Sequence, residues 1–482
     1  MRSTIVLQIA RQFFRMAFQN KAVLGLTIIL GLMLMMATFI GWNSYKHQQG
    51  LRAGYQQLVR QQWVNNPDKH PHRMAHYGYF AFRPKHPLSF FDFGLESFTG
   101  VSVFLEAHKQ NPVNFSEASF SAGILRFGEM NIAMILQLLV PLLLFFLGFN
   151  AVSSLKENGT LKILLCQGVS WQELIMGKTA GITAVALVLY APVMLLTILF
   201  WLLLGDFQIS ADDSLRLILL LLSYFVYFCI WSLVAVLVSA LSKTSKASLA
   251  TLIGIWLALM VVLPRATQVM GAQQYPAPSK IAFEAAIEED LSKEGDSHNP
   301  DDPHYKAIKD SLLVTYKIDN VAQLPFNYSG FIMAEGEKIS ASVYNRHQQR
   351  LIATYVKQNS FGRYTSFINP YMAIKNLSMA LAGSDFASYM NFTEQTEKYR
   401  YEMAQRMNTL QMQYISNTKQ GEKDKPYSIG REHWEQMPDF NYQFQQSHVI
   451  FRQEKLSIAA LIFWLVLPFT LLFTLTTKFK AL

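Results

Sequence analysis

The chain has 482 residues, 51% of them hydrophobic and only 16% charged, with a formal net charge of +9. An ordinary soluble domain is nearer a quarter charged, so this balance excludes a disordered chain, a collagen-like chain and a disulfide scaffold. The two cysteines, Cys166 and Cys229, are too few for a four-cysteine zinc site.

In chain order, residues 1–21 are basic and amphipathic. They predict a helix from about Thr4 to Phe18, with Leu7, Ile9, Phe13 and Phe14 on or near one face and suited to a membrane interface. Six stretches follow that are apolar enough to cross about 30 Å of hydrocarbon: 22–42, 131–152, 179–204, 214–240, 247–264 and 456–477. The first exceeds a usual signal-peptide core and no small-x-small cleavage site follows Trp42, so it reads as an uncleaved anchor. The expected fold class is an all-α membrane protein. It has six transmembrane helices, an N-terminal amphipathic interface helix and a large, mostly helical extracytoplasmic region.

Orientation follows from Lys and Arg. Placing the N-terminus inside puts 1–21, 153–178, 241–246 and 478–482 on the cytoplasmic side. Their basic residues are Arg2, Arg11, Arg15, Lys21, Lys156, Lys162, Lys178, Lys243, Lys246, Lys478 and Lys480, against only Glu157 and Glu173. These segments account for the whole net charge, and the short opposite loop at 205–213 holds Asp206, Asp212 and Asp213. The charge is therefore a topology signal, and no nucleic-acid partner is expected. Both termini are expected to be cytoplasmic, in a bacterial cytoplasmic (inner) membrane.

Two long segments, 43–130 and 265–455, then lie outside as extracytoplasmic inserts. Ser384 is placed to cap a helix running through Tyr399, Met403, Met407, Leu410 and Tyr414, whose three- and four-residue spacing buries one face. A second helix is expected from about Glu335 to Lys357, with Ile339, Val343, Ile352 and Tyr355 inward. NPDDP (299–303) and KQGEKDKP (419–426) read as exposed turns.

Ionisable residues are nearly absent from the spans; Arg216, at the outer end of the fourth, is expected to snorkel to the interface. That weighs against a proton-coupled pump or a charged-filter channel. Gln137, Asn150, Thr183, Thr197, Ser223 and Ser232 are expected to hydrogen-bond between helices. Trp42, Trp201 and Tyr224 are expected to be interface anchors.

The most informative stretch is SSLKENGTLKILLCQGVSWQELIMGKTAG (153–181). It reads as two short helices joined at Gln167–Gly168, with Leu161, Leu164 and Leu165 as an apolar ridge. Ser170 is placed to cap the second helix and Glu173 sits at the capping-box position. Gly159 and Gly168 permit turns that other residues resist.

Glu157, Gly159, Thr160, Leu161, Leu164, Leu165, Val169, Ser170, Gly177 and Lys178 resemble the E-x-G-T-L…LL…V-S…GK signature of ABC-2-type transporter permeases. Gly168 and Trp171 depart from it, standing where that family often has proline and a basic residue. The resemblance implies that the loop is a coupling helix seated in an ATP-binding subunit, with Glu157, Gly159, Thr160, Leu161, Leu164, Leu165, Gly168, Gly177 and Lys178 as the coupling residues. It implies a permease subunit, an exporter by analogy, paired with a second copy or a related permease. ATP and Mg would be bound by the partner ATPase, with no cofactor in this chain. Segments 76–94 and 368–386 resemble a subgroup with large extracytoplasmic inserts and no settled function. Membrane lipid and a periplasmic or cell-surface partner complete the expected company. A different class of reading is a membrane-anchored extracytoplasmic binding or scaffold protein without transport.

Other signals fail on inspection. Gly177-Lys178-Thr179 imitates the end of a P-loop, but Gln172 stands where glycine is required, so this chain is not expected to hydrolyse ATP or to be an enzyme. His70, His72 and His76, followed by His86, could ligate zinc or copper, yet Lys69 and Arg73 flank them; surface histidines are the expectation and no metal site is assigned. EAAIEEDLSKEGD (284–296) reads as a solvated acidic helix end without calcium-loop spacing. No nucleophile context or other catalytic constellation is found.

Overall fold

A computed structural model describes residues 1–114, 130–205, 210–299, 301–418, 421 and 427–476. Asp206, Pro300, Lys478, Lys480 and the 419–426 turn apart from Gly421 lie outside the described residues. The chain is helical with a single two-stranded sheet among the described residues, and six helices are long and apolar enough to cross a membrane. This is the architecture of a multi-pass membrane protein.

Helix α1 (Ser3–Gln19) precedes α2 (Lys21–Val64), and Asn20 caps the latter. The α1 face against the bundle carries Ile9, Phe13 and Phe14, while Leu7 is exposed rather than on that face. The expected first span ends at Trp42, but α2 continues to Val64. Those extra residues carry the helix roughly 33 Å further. They keep their helix because they pack at their end: Trp63 is buried and donates its indole N–H to the Trp434 carbonyl at 3.1 Å.

Helix α3 (Pro71–Tyr77) leads into β1 (Tyr79–Phe82), which pairs antiparallel with β2 (Ser102–Leu105), Tyr79 opposite Leu105. The second span comprises a helical turn, a π turn at Ile135–Leu139 and Val140–Gly148. The fifth contains another π turn, Leu257–Val262. Pro141 and Pro264 lie just after these turns. A proline removes a helix N–H and its ring crowds the carbonyl four residues back, and a widened turn accommodates both.

Beyond the second span come a short helix α4 (Thr160–Cys166), then the third and fourth spans, α5 (Trp171–Leu204) and α6 (Ala211–Leu241). Helix α7 (Ser245–Trp256) opens the fifth span. In the second insert, α8 (Tyr328–Thr365) is longer than the expected 335–357 helix, because the Asn327 side chain starts it early by accepting the Gly330 N–H at 2.8 Å. Val343 is buried as expected, whereas Tyr355 is exposed. Helices α9 (Pro370–Ala382) and α10 (Phe386–Tyr414) follow, and α11 (Lys455–Thr476) is the sixth span. Asp385 rather than Ser384 caps α10, its carboxylate accepting the Ser388 N–H at 3.0 Å.

Two large cores result. The first fills the bundle and includes Leu144, Ile182, Tyr224, Trp231 and Ala235. Helix α9 belongs to it through Ile374, Leu377 and Leu381, so part of the second insert enters the bundle. Tyr224 is therefore fully buried instead of anchoring an interface; its hydroxyl accepts from Gln137 Nε2 at 2.7 Å and bonds Ser378 Oγ at 2.9 Å. Trp201 is buried too, and Trp42 stacks on Phe200. Arg216 does not snorkel: it is buried, with Nε bonded to Asp212 at 3.1 Å. Ser223 bonds its own helix, at the Leu220 carbonyl. The hydroxyls of Thr197 and Ser232 are buried without a partner among the described residues, and Asn150 is exposed. The second core joins the inserts, with Trp63, Met74, Tyr79 and Val103 against Phe392, Met403, Met407 and Trp434.

Candidate functional site

The 153–178 loop is held to the ends of several spans by polar bonds from its own residues. Ser239 Oγ, in the last turns of α6, accepts the N–H groups of Val152 and Ser153 at 3.0 and 3.1 Å, and donates to the Phe149 carbonyl at 2.8 Å. Lys156 Nζ donates to the carbonyls of Ala240 and Ser242, where α6 ends and leaves acceptors unpaired. Glu157 accepts the Ser245 N–H at 3.0 Å and the Ser245 hydroxyl at 2.6 Å. A carboxylate at this first turn of α7 satisfies an orphan donor and complements the helix dipole.

The loop turns back at two glycines in the left-handed region, Gly159 at φ +75° and Gly168 at φ +84°. Between them lies α4. Leu161 is buried and Leu164 and Leu165 are half-buried against the bundle, while Lys162, Ile163, Cys166 and Gln167 are exposed. Thr160 opens α4, and its N–H donates to Asn158 Oδ1 at 3.0 Å. The result is a short amphipathic apex with an open outer side.

The far end of the loop is locked by Glu173. Ser170 and Glu173 form a reciprocal capping box at the start of α5. The same carboxylate accepts the Arg2 backbone N–H at 2.7 Å and faces the Arg2 guanidinium at 2.9 Å, which also donates to the Gly168 carbonyl. Arg2 thus ties α1 to the loop. Gly177 and Lys178 lie away from the apex, on the face of α5 that receives α1. A Cβ at Gly177 would stand 2.6 Å from Ile9 Cβ, and Lys178 Nζ sits 5.1 Å from the centre of the Phe13 ring.

The histidines separate into two kinds. His70 caps α3 through Nδ1, which accepts the His72 N–H at 3.2 Å. His86 is buried, with Nδ1 accepting the Leu88 N–H and Nε2 3.1 Å from Asp213. His72 and His76 instead meet His108 and His298, two residues remote in sequence that no local pattern singles out. Burial, with the neighbouring histidines, lowers His72 to about 4.

A family model described as a domain of unknown function (DUF3526) matches residues 280–443. No curated protein matches the chain.

Proposed function

We propose that this chain is the membrane-spanning permease subunit of an ABC-2-type transporter, driven by a separate ATP-binding subunit. The observation that carries the reading is the apex at 157–168, exposed on its outer side and bonded through Lys156, Glu157 and Glu173 to the ends of α6, α7 and α5. A force applied there reaches three spans and α1 together. The ATP-binding subunit would bind the apex differently in its two nucleotide states, and that difference in affinity supplies the free energy for tilting the spans. ATP and Mg belong to that partner. Two permease copies, identical or related, would form the path, with export as the direction and the 153–178 side cytoplasmic.

The test is to purify the chain from its native membrane with any Walker-motif chain that accompanies it, reconstitute both in lipid, and measure assembly and ATP hydrolysis for the parent and Glu157→Gln. The expected result is retained assembly with ATP hydrolysis reduced toward the rate of the ATP-binding subunit alone. An equally active Glu157→Gln complex would remove the coupling assignment. Failure to assemble with any Walker-motif chain would favour the membrane-anchored binding protein.

A further inference from the structure

Helix α3 presents His72 and His76 one turn apart, on the same face. The segment after β2 brings in His108, held at φ +64°. The turn following the 280–294 helix brings in His298. One ligand-capable atom from each of the four lies within 4.8 Å of the others. His72 Nδ1 and His108 Nε2 are buried and have no hydrogen-bond partner among the described residues. Buried imidazole nitrogens are ordinarily paired, so two in one small cluster leave a binding capacity unused.

The surroundings orient these rings as ligands. Glu337 Oε2 accepts the His108 backbone N–H at 2.7 Å and lies 3.3 Å from His108 Nδ1. That places the ring proton on Nδ1 and leaves Nε2 with its lone pair. Glu337 is wholly buried and is itself held by Arg400 at 2.7 Å. His298 repeats the arrangement, with Nδ1 3.4 Å from Asp296. A carboxylate behind the imidazole is the usual outer support of a metal-bound histidine. Lys69, a flanking cation, is turned to Asn66 Oδ1 at 2.7 Å and lies over the Tyr77 ring.

We propose that His72, His76, His108 and His298 bind one borderline divalent transition-metal ion, zinc or copper(II), and so fasten the first insert to the second. An all-imidazole set without thiolate or carboxylate ligands suits these ions and disfavours calcium and magnesium. Ligand bonds of about 2.0 Å in a tetrahedron require nitrogen separations of about 3.3 Å, which small side-chain rotations reach from the present spacing. His76 and His298 are exposed, which leaves an entry path. This site is independent of the transport reading.

The test uses the full chain in detergent, without a polyhistidine tag, stripped with a chelator and titrated with zinc chloride or copper sulfate alone. One ion per chain is expected, with an upward shift of the unfolding midpoint. His76→Asn and His298→Asn, both at exposed positions, should each weaken binding at least tenfold and abolish the shift, while the exposed His304→Asn should not. Zinc or copper bound and lost in this pattern supports the site and identifies the ion. No retained ion, or binding unchanged in His76→Asn and His298→Asn, overturns it.

Discussion

Replacing Gly177 with alanine tests how α1 is held. The new methyl would stand 2.6 Å from Ile9 Cβ, 2.7 Å from Ile9 Cγ2 and 3.1 Å from the Val6 carbonyl. Carbon atoms rest at about 3.5–4.0 Å, so α1 must retreat by about 1 Å. No rotamer change relieves the clash, because Ile9 Cβ is fixed to its own backbone. Overpacking of this kind costs ~1–3 kcal/mol. The cost falls on the α1–α5 contact, so the population with α1 detached should rise about 5- to 150-fold. Arg11 and Arg15 are exposed on α1, and trypsin cleavage there follows the open population when reclosing is fast. Gly254→Ala is the control: its Cβ meets nothing within 4 Å, and it should be neutral or gain up to about 1 kcal/mol of helix propensity. If Gly177→Ala is digested at the parent's rate, the close approach of α1 to α5 is wrong.

Two further substitutions address the inserts. Trp63→Ala removes a buried indole and its bond to Trp434, and should destabilise the second core by about 3–5 kcal/mol, read as a lower unfolding midpoint, while exposed Leu58→Ala should change little. Arg400→Met leaves Glu337 as a buried carboxylate without its cation and should cost about 3–5 kcal/mol; adding Glu337→Gln should recover part of the loss, measured in the same unfolding assay.

Much of the loop was legible because its signals are local. The Ser170–Glu173 capping box depends on a three-residue spacing, and Gly159 and Gly168 do occupy positive φ. The partners of its charges were not legible. Glu157 bonds Ser245 and Glu173 bonds Arg2, contacts that cross 88 and 171 positions. Tyr224 departs from expectation for a related reason: an aromatic near a span end resembles an anchor, and only the packing of α9 over it makes it a buried residue.

The six spans and the excess of basic residues on one set of loops are properties of the linear chain, since hydrocarbon burial is decided by runs of about twenty apolar residues. Which insert residues meet is decided by chain reversal. His72 and His76 share a face of α3, which the sequence does not announce, and their approach to His108 and His298 exists only once both inserts have packed into one core. Likewise, no apolar count distinguishes α9 as part of the bundle; its burial depends on the gap that the neighbouring spans leave open.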